Sequence, residues 1–177
     1  MALKSETYLL LHKMLGAAET EEDLEIARKS FQAVVDESRD SESRDERFDV
    51  AWSMSCLAGI YVRLEQMTLA EQAYLTAIRL FDENDMAAHS ACLSVALAKL
   101  YAEIGRAKDA HIQMKEYVHY ETKDWGEGSE QAKDAQEELA HFECTGEFIQ
   151  AFDHRWCKAC GVDRYGVGFE LDEDGRE

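Results

Sequence analysis

The chain has 177 residues, with 37 acidic side chains against 19 basic ones, a formal net charge of −18 and no proline. An acid excess of that size repels nucleic-acid phosphates and anionic lipid at long range, which excludes both as partners and leaves basic proteins or peptides open. The length suits one core-bearing unit, and a chain without the residue that breaks helix interiors reads as mostly helix joined by polar turns.

In chain order, Leu11, Met14, Leu15 and Ala18 form a first apolar stripe, and Ala27, Phe31 and Val34 a second, each at helical spacing. Residues 36–49 mix both charges with almost no apolar side chain, so the reading is a loop. Its Ser38, Ser41 and Ser43, set among charges, are most simply solvated loop residues. From Ala51, small residues (Ala58, Ala70, Ala73, Ala77) alternate with large ones (Tyr61, Tyr74, Ile78, Phe81), the pattern of two helices packed closely as a hairpin. Residues 82–85 form a short turn. Leu57, Ala58, Tyr61, Ala70 and Tyr74 are then answered 40 residues later by Leu97, Ala98, Tyr101, Ala110 and Met114, with Gly105 at the turn. Residues 122–129 contain Gly126 and Gly128, and Ser129 opens a helix marked by Ala132, Ala135, Leu139 and Phe142, a natural cap for the last repeat.

These residues resemble the tetratricopeptide repeat. Counted from Ala51, Met54 stands at the family's Trp position, Leu57 and Ala58 at Leu-Gly, Tyr61 at Tyr, Ala70 and Tyr74 at Ala and Phe, Ala77 at the second Ala and Asp82 at Pro. Counted from Ala91, the matching residues are Ser94, Leu97, Ala98, Tyr101, Ala110, Met114 and Tyr117. Ala27, Phe31 and Val34 precede Ala70, Tyr74 and Ala77 by 43 residues and read as a degenerate first repeat. Spacings of 43 and 40 exceed the usual length of about 34, and look like the long-repeat variety of kinesin light chains.

The resemblance spans about residues 8–120 and implies an all-α fold of about three helical hairpins, with a capping helix and a short cysteine-bearing tail. The expected units are residues 1–143, the repeats with their cap, and 144–177. The resemblance further implies a concave surface lined by the first helix of each pair, which by position points to His12, Lys13, Trp52, Ser55, Arg63, Val95 and Lys99 as partner-binding residues. Arg63 and Lys99 would be the basic groups able to clasp a carboxylate. The clamp some family members use on chaperone C-termini needs Asn where this chain has Gly16 or Gly59, which argues against that ligand.

One further constellation carries chemistry. Cys157 and Cys160, followed by Gly161, form a CxxCG turn that can present two thiolates to a metal ion. His141 and Cys144 can complete one tetrahedral zinc site, with His154 an alternative to His141, and a structural zinc would help order the tail. Independent cysteines are the simpler alternative, and Cys56 and Cys92 read as core. A redox role for CxxC lacks the strand-to-helix context such thiols need, and no catalytic residues are expected.

The stretch 170–177 is mostly acidic and reads as a tail. The first 13 residues hold only the apolar run 8–11, and none in the chain approaches the roughly 20 residues of a membrane span. With an odd number of cysteines, five, the expectation is a cytoplasmic protein. The functional reading is a protein-interaction adaptor, not an enzyme, that takes a peptide or helix of a partner. The alternative is a small dedicated chaperone of the type III secretion kind, and self-association is open.

Overall fold

A computed structural model describes residues 5–38 and 40–148, and the described residues are all-α, with seven helices and no strand. They are α1 (Ser5–Gly16), α2 (Glu21–Ser38), α3 (Arg44–Arg63), α4 (Met67–Glu83), α5 (Ala87–Glu103), α6 (Ala107–Trp125) and α7 (Glu130–Thr145). Each packs chiefly on its neighbours in sequence, so one core runs through the row. The expected boundary between units at 143/144 falls inside the last turn of α7.

Three connections share one turn. After α3, Glu65 takes a left-handed φ of 56° while the Gln66 N–H reaches back to the Tyr61 carbonyl at 2.8 Å. After α4, Asp85 (φ 56°) precedes Met86, whose N–H bonds to Phe81 O at 3.0 Å, and after α5, Gly105 (φ 75°) precedes Arg106, bonded to Tyr101 O at 2.7 Å. In each, the preceding N–H (Glu65, Asp85, Gly105) bonds to the carbonyl three residues back, which completes the Schellman pattern that satisfies the orphan carbonyls of a helix end. Two of the three turns therefore lie 40 residues apart, and only the second of that pair uses the residue that adopts positive φ without strain.

Residues at matching turns are buried alike. Leu57 and Leu97, Ala58 and Ala98, and Ala70 and Ala110 are all closed to solvent. Alanine at these points lets α3 approach α4, and α5 approach α6, closely enough for Phe81, Tyr74, Met114 and Tyr117 to fill the gaps between them. Each such large side chain taken out of water contributes roughly 1.5–3 kcal/mol.

The expected loop 36–49 is shorter than its composition suggests. α2 runs to Ser38, and α3 begins at Arg44. Three tertiary contacts hold the polar start of α3 helical. Arg44 donates to the Asn84 carbonyl at 3.2 Å, Arg47 pairs with Glu83 at 2.9 Å, and Phe48 meets Phe81 edge-on at 5.8 Å. Asp45 and Glu46 in the first turn also suit the positive end of the helix dipole.

Helix starts follow their local chemistry. Thr20 and Asp23 form a reciprocal cap on α2, the Asp23 N–H donating to Thr20 Oγ1 at 3.2 Å and the Thr20 N–H to Asp23 Oδ2 at 3.0 Å. The Thr20 hydroxyl and N–H hold the Asp23 carboxyl below its ordinary pKa. Ser129 caps α7 as expected, its hydroxyl accepting from the Ala132 N–H at 3.0 Å, and Gly146 ends that helix with φ 72°.

Candidate functional site

Of the residues expected to bind a partner, His12 and Lys13 lie on α1 and the other five on α3 and α5. Trp52, Ser55 and Arg63 follow one side of α3, while Val95 and Lys99 follow one side of α5 with Cys92 a turn before them. In register, Trp52 answers Cys92, Ser55 answers Val95 and Gly59 answers Lys99, each 40 residues on.

Access along these two helices is uneven. Trp52 is 2% exposed and meets the Phe31 ring of α2 edge-on at 5.5 Å. Ser55, also buried, donates its hydroxyl to the Trp52 carbonyl at 2.7 Å, and Val95 is 2% exposed. These three side chains are part of the closed interior. Lys99 is half-buried, with its ammonium 5.5 Å from the centre of the Phe148 ring. Lys13 on α1 is exposed, and the His12 side chain lies outside what the structure describes. Cys56 is buried as expected, but Cys92 is half-buried on the Val95 and Lys99 side of α5 rather than deep in the core.

Arg63 has an exposed side chain, and its guanidinium is already engaged. It donates to the carbonyls of Leu15, at 3.3 Å, and of Ala18. Those acceptors are the last turn of α1 and the chain just beyond it, at the negative end of the helix dipole, where the Leu15 carbonyl also accepts from the Ala18 N–H at 3.3 Å. A carboxylate ligand would therefore compete with main-chain acceptors for this side chain. Lys13 and Lys99 are the remaining cationic candidates.

A cluster that the sequence does not announce joins α4, α5 and α6. Glu71 accepts from the Tyr101 hydroxyl at 2.8 Å and pairs with Arg106 at 2.8 Å; Arg106 also pairs with Asp109 at 2.6 Å and lies 4.3 Å from the Tyr101 ring centre. Burial, then the hydrogen bond to the Glu71 carboxylate and its charge, push the Tyr101 phenol up to about 12. The hydrogen bonds to Asp109 and Glu71 raise the Arg106 pKa further. The usable signal was the turn itself: the residue after Gly105 is fixed by the Schellman bond at the foot of Tyr101. A second set of ties closes the other ends of the helices, with Arg79 on Glu83 at 2.6 Å and Lys123 on Asp82 at 2.8 Å.

Of the proposed zinc ligands, His141 and Cys144 lie three residues apart on one side of α7, half-buried and exposed respectively. They can supply two positions of a tetrahedral site. Cys157, Cys160 and the alternative His154 lie outside the described residues, among which no group of three or more His, Cys, Asp or Glu is placed to hold a metal ion. No described helix is long and apolar enough to cross a membrane. No protein-family model, curated protein or solved structure matches this chain, so the functional reading rests on the chain's own residues.

Proposed function

We propose that the chain is a protein-interaction adaptor of tetratricopeptide type, whose α1, α3 and α5 together offer a concave face to a peptide or helix of a partner protein. The observation that carries this reading is the repetition at 40 residues of sequence pattern, burial and turn geometry together, from Leu57 and Leu97 to the Glu65 and Gly105 turns. Repeats of this kind stack into extended binding surfaces. Lys13 and Lys99 are the cationic groups with which such a face meets a partner's carboxylate, while Trp52 and Val95, closed to solvent, support it from within. Charge selection at longer range favours a partner that is basic overall.

The reading is tested by affinity capture from lysate of the source cells with the full chain and with a Lys13→Glu, Lys99→Glu variant, using Lys133→Glu on exposed α7 as the control. The adaptor reading expects a folded, stable partner retained by the control and lost from the double variant. A client that aggregates without the chain would instead indicate the dedicated chaperone. Equal capture by all three would move the binding surface elsewhere.

A further inference from the structure

A built turn fixes the position of Phe148. Gly146 closes α7 with φ 72°, and its N–H bonds to the Phe142 carbonyl at 2.8 Å. The Thr145 hydroxyl donates to the His141 carbonyl at 2.9 Å and accepts from the Glu147 N–H at 3.0 Å. A backbone reversed and tied in this way returns the next side chains toward the helix they have just left. Phe148 accordingly packs on Phe142, ring centres 4.9 Å apart, and Phe142 is itself buried in the core. The turn at Gly105 places its residues alike. Tyr101 stands four residues before that glycine, as Phe142 does before Gly146, and Arg106 comes back to 4.3 Å from the Tyr101 ring centre.

Held there, the Phe148 ring centre lies 5.5 Å from the Lys99 ammonium of α5. That is within the roughly 6 Å over which the negative face of an aromatic ring attracts a cation. Since α7 packs chiefly on α6, the contact carries the end of the capping helix beyond its own neighbour, to the side of α5 that also bears Val95 and Cys92. An aromatic seat orients an ammonium without cancelling its charge, and an ammonium resting on a ring keeps N–H donors that point away from it. Both properties suit a lysine that meets a partner's carboxylate. A long, flexible lysine stem loses rotamer entropy when a ligand fixes it, and a seat that orders the stem beforehand reduces that loss.

We infer that Phe148 is a positioning residue of the candidate face, its ring seating Lys99 so that the ammonium is oriented toward a partner's carboxylate. The turn that ends α7 is then part of the binding machinery as well as the end of the capping helix. The inference rests on the adaptor reading for its ligand, but the seat is measurable without a partner, so the two can fail separately.

Acylation of Lys99 in the full chain, followed by mass spectrometry at a fixed pH where lysines are mostly charged, reads the seat directly. Without the ring's attraction the neutral, reactive amine is more populated, so Phe148→Leu should speed acylation about threefold, and the conservative Phe148→Tyr should restore the parent rate. Pentafluorophenylalanine at position 148 keeps the shape of the side chain but inverts the charge of its ring face, so its rate should follow that of Phe148→Leu, with amide exchange of α5 and α6 unchanged. Equal rates in all four chains overturn the seat. Acceleration by Phe148→Leu that the fluorinated ring does not share also overturns it, and makes Phe148 a steric cover. In the capture experiment, Phe148→Leu should retain several-fold less partner than Phe148→Tyr. Full retention by Phe148→Leu of a partner that the Lys13→Glu, Lys99→Glu variant loses overturns the positioning role and leaves the adaptor reading standing. A partner that the double variant retains overturns the adaptor reading and with it the ligand, while the acylation rates still decide the seat.

Discussion

The Arg63 guanidinium, at the end of α3, donates to the Leu15 carbonyl at the end of α1, 48 residues earlier, with Ala18 O as its second acceptor. One side chain thus closes the first helical pair onto the next, where α1 has few other attachments. Arg63→Ala should cost about 1 kcal/mol, the low end for a charged hydrogen bond because the group is exposed. Amide exchange should quicken in α1 and leave α4 to α6 unchanged. Arg63→Lys should recover little of the loss, because one ammonium cannot reproduce the planar fork that serves both carbonyls. Equal exchange across all helices in Arg63→Ala would show that the contact does not hold α1.

Glu65 and Asp85 occupy the positive-φ position that Gly105 fills in the third turn. A side chain there strains the backbone, so Glu65→Gly and Asp85→Gly should each raise stability by about 0.5–1 kcal/mol, read as a denaturant midpoint at constant slope. Gly105→Ala should lower it by a similar amount. If all three changes act in the same direction, the turns are not equivalent.

Ser53 Oγ and Ser94 Oγ are fully buried and have no hydrogen-bond partner among the described residues. An unsatisfied hydroxyl in the interior costs about 1–3 kcal/mol, so Ser53→Ala and Ser94→Ala should stabilise the fold, by up to about 1 kcal/mol each once lost packing is counted. A loss of stability in both would mean that the hydroxyls find partners the structure does not show.

The Tyr101 phenol should titrate at about 12, visible as phenolate absorbance missing from Tyr101→Phe. Its ordinary value is 10.0, and the folded value is raised. The corresponding stability is therefore complete below pH 10 and falls as pH rises through about 12. Tyr101→Phe should cost about 1–2 kcal/mol at neutral pH through the lost bond to the Glu71 carboxylate. A Tyr101 midpoint near its ordinary value would remove Glu71 from that contact.

Helix existence was legible because Leu57 and Leu97, Ala58 and Ala98, and Ala70 and Ala110 mark apolar stripes that the fold buries, and Ser129 and Gly105 carry their turn chemistry in their own identity. The start of α3 was not, because its helix is held by Arg44, Arg47 and Phe48 acting on α4 and α5 residues that composition cannot pair with them. The positions expected to bind a partner could be placed on α1, α3 and α5 from the sequence, but their burial could not. A repeat pattern names the side of a helix without saying what lies over it, and Arg63 looked like a ligand group until the carbonyls of Leu15 and Ala18 appeared beside it. The Glu71, Tyr101 and Arg106 cluster required the turn geometry that brings three helices together.

If His141, Cys144, Cys157 and Cys160 share a zinc ion, protein purified without added metal should carry about one equivalent, and Cys144→Ser should lose most of it without loss of helix signal. Zinc retained in full by Cys157→Ser together with Cys160→Ser would rule out that ligand set. His141→Ala and His154→Ala, compared singly, should identify the nitrogen ligand.

Lysine-directed cross-linking of the captured partner complex tests the adaptor account most directly, with the joined residues located by mass spectrometry. The account predicts partner cross-links at Lys13 and Lys99, on α1 and α5, at the expense of Lys29 on α2, Lys115 on α6 and Lys133 on α7. Cross-links confined to Lys29, Lys115 and Lys133 would contradict it, and would place the partner on the second helices of the pairs or on the capping helix.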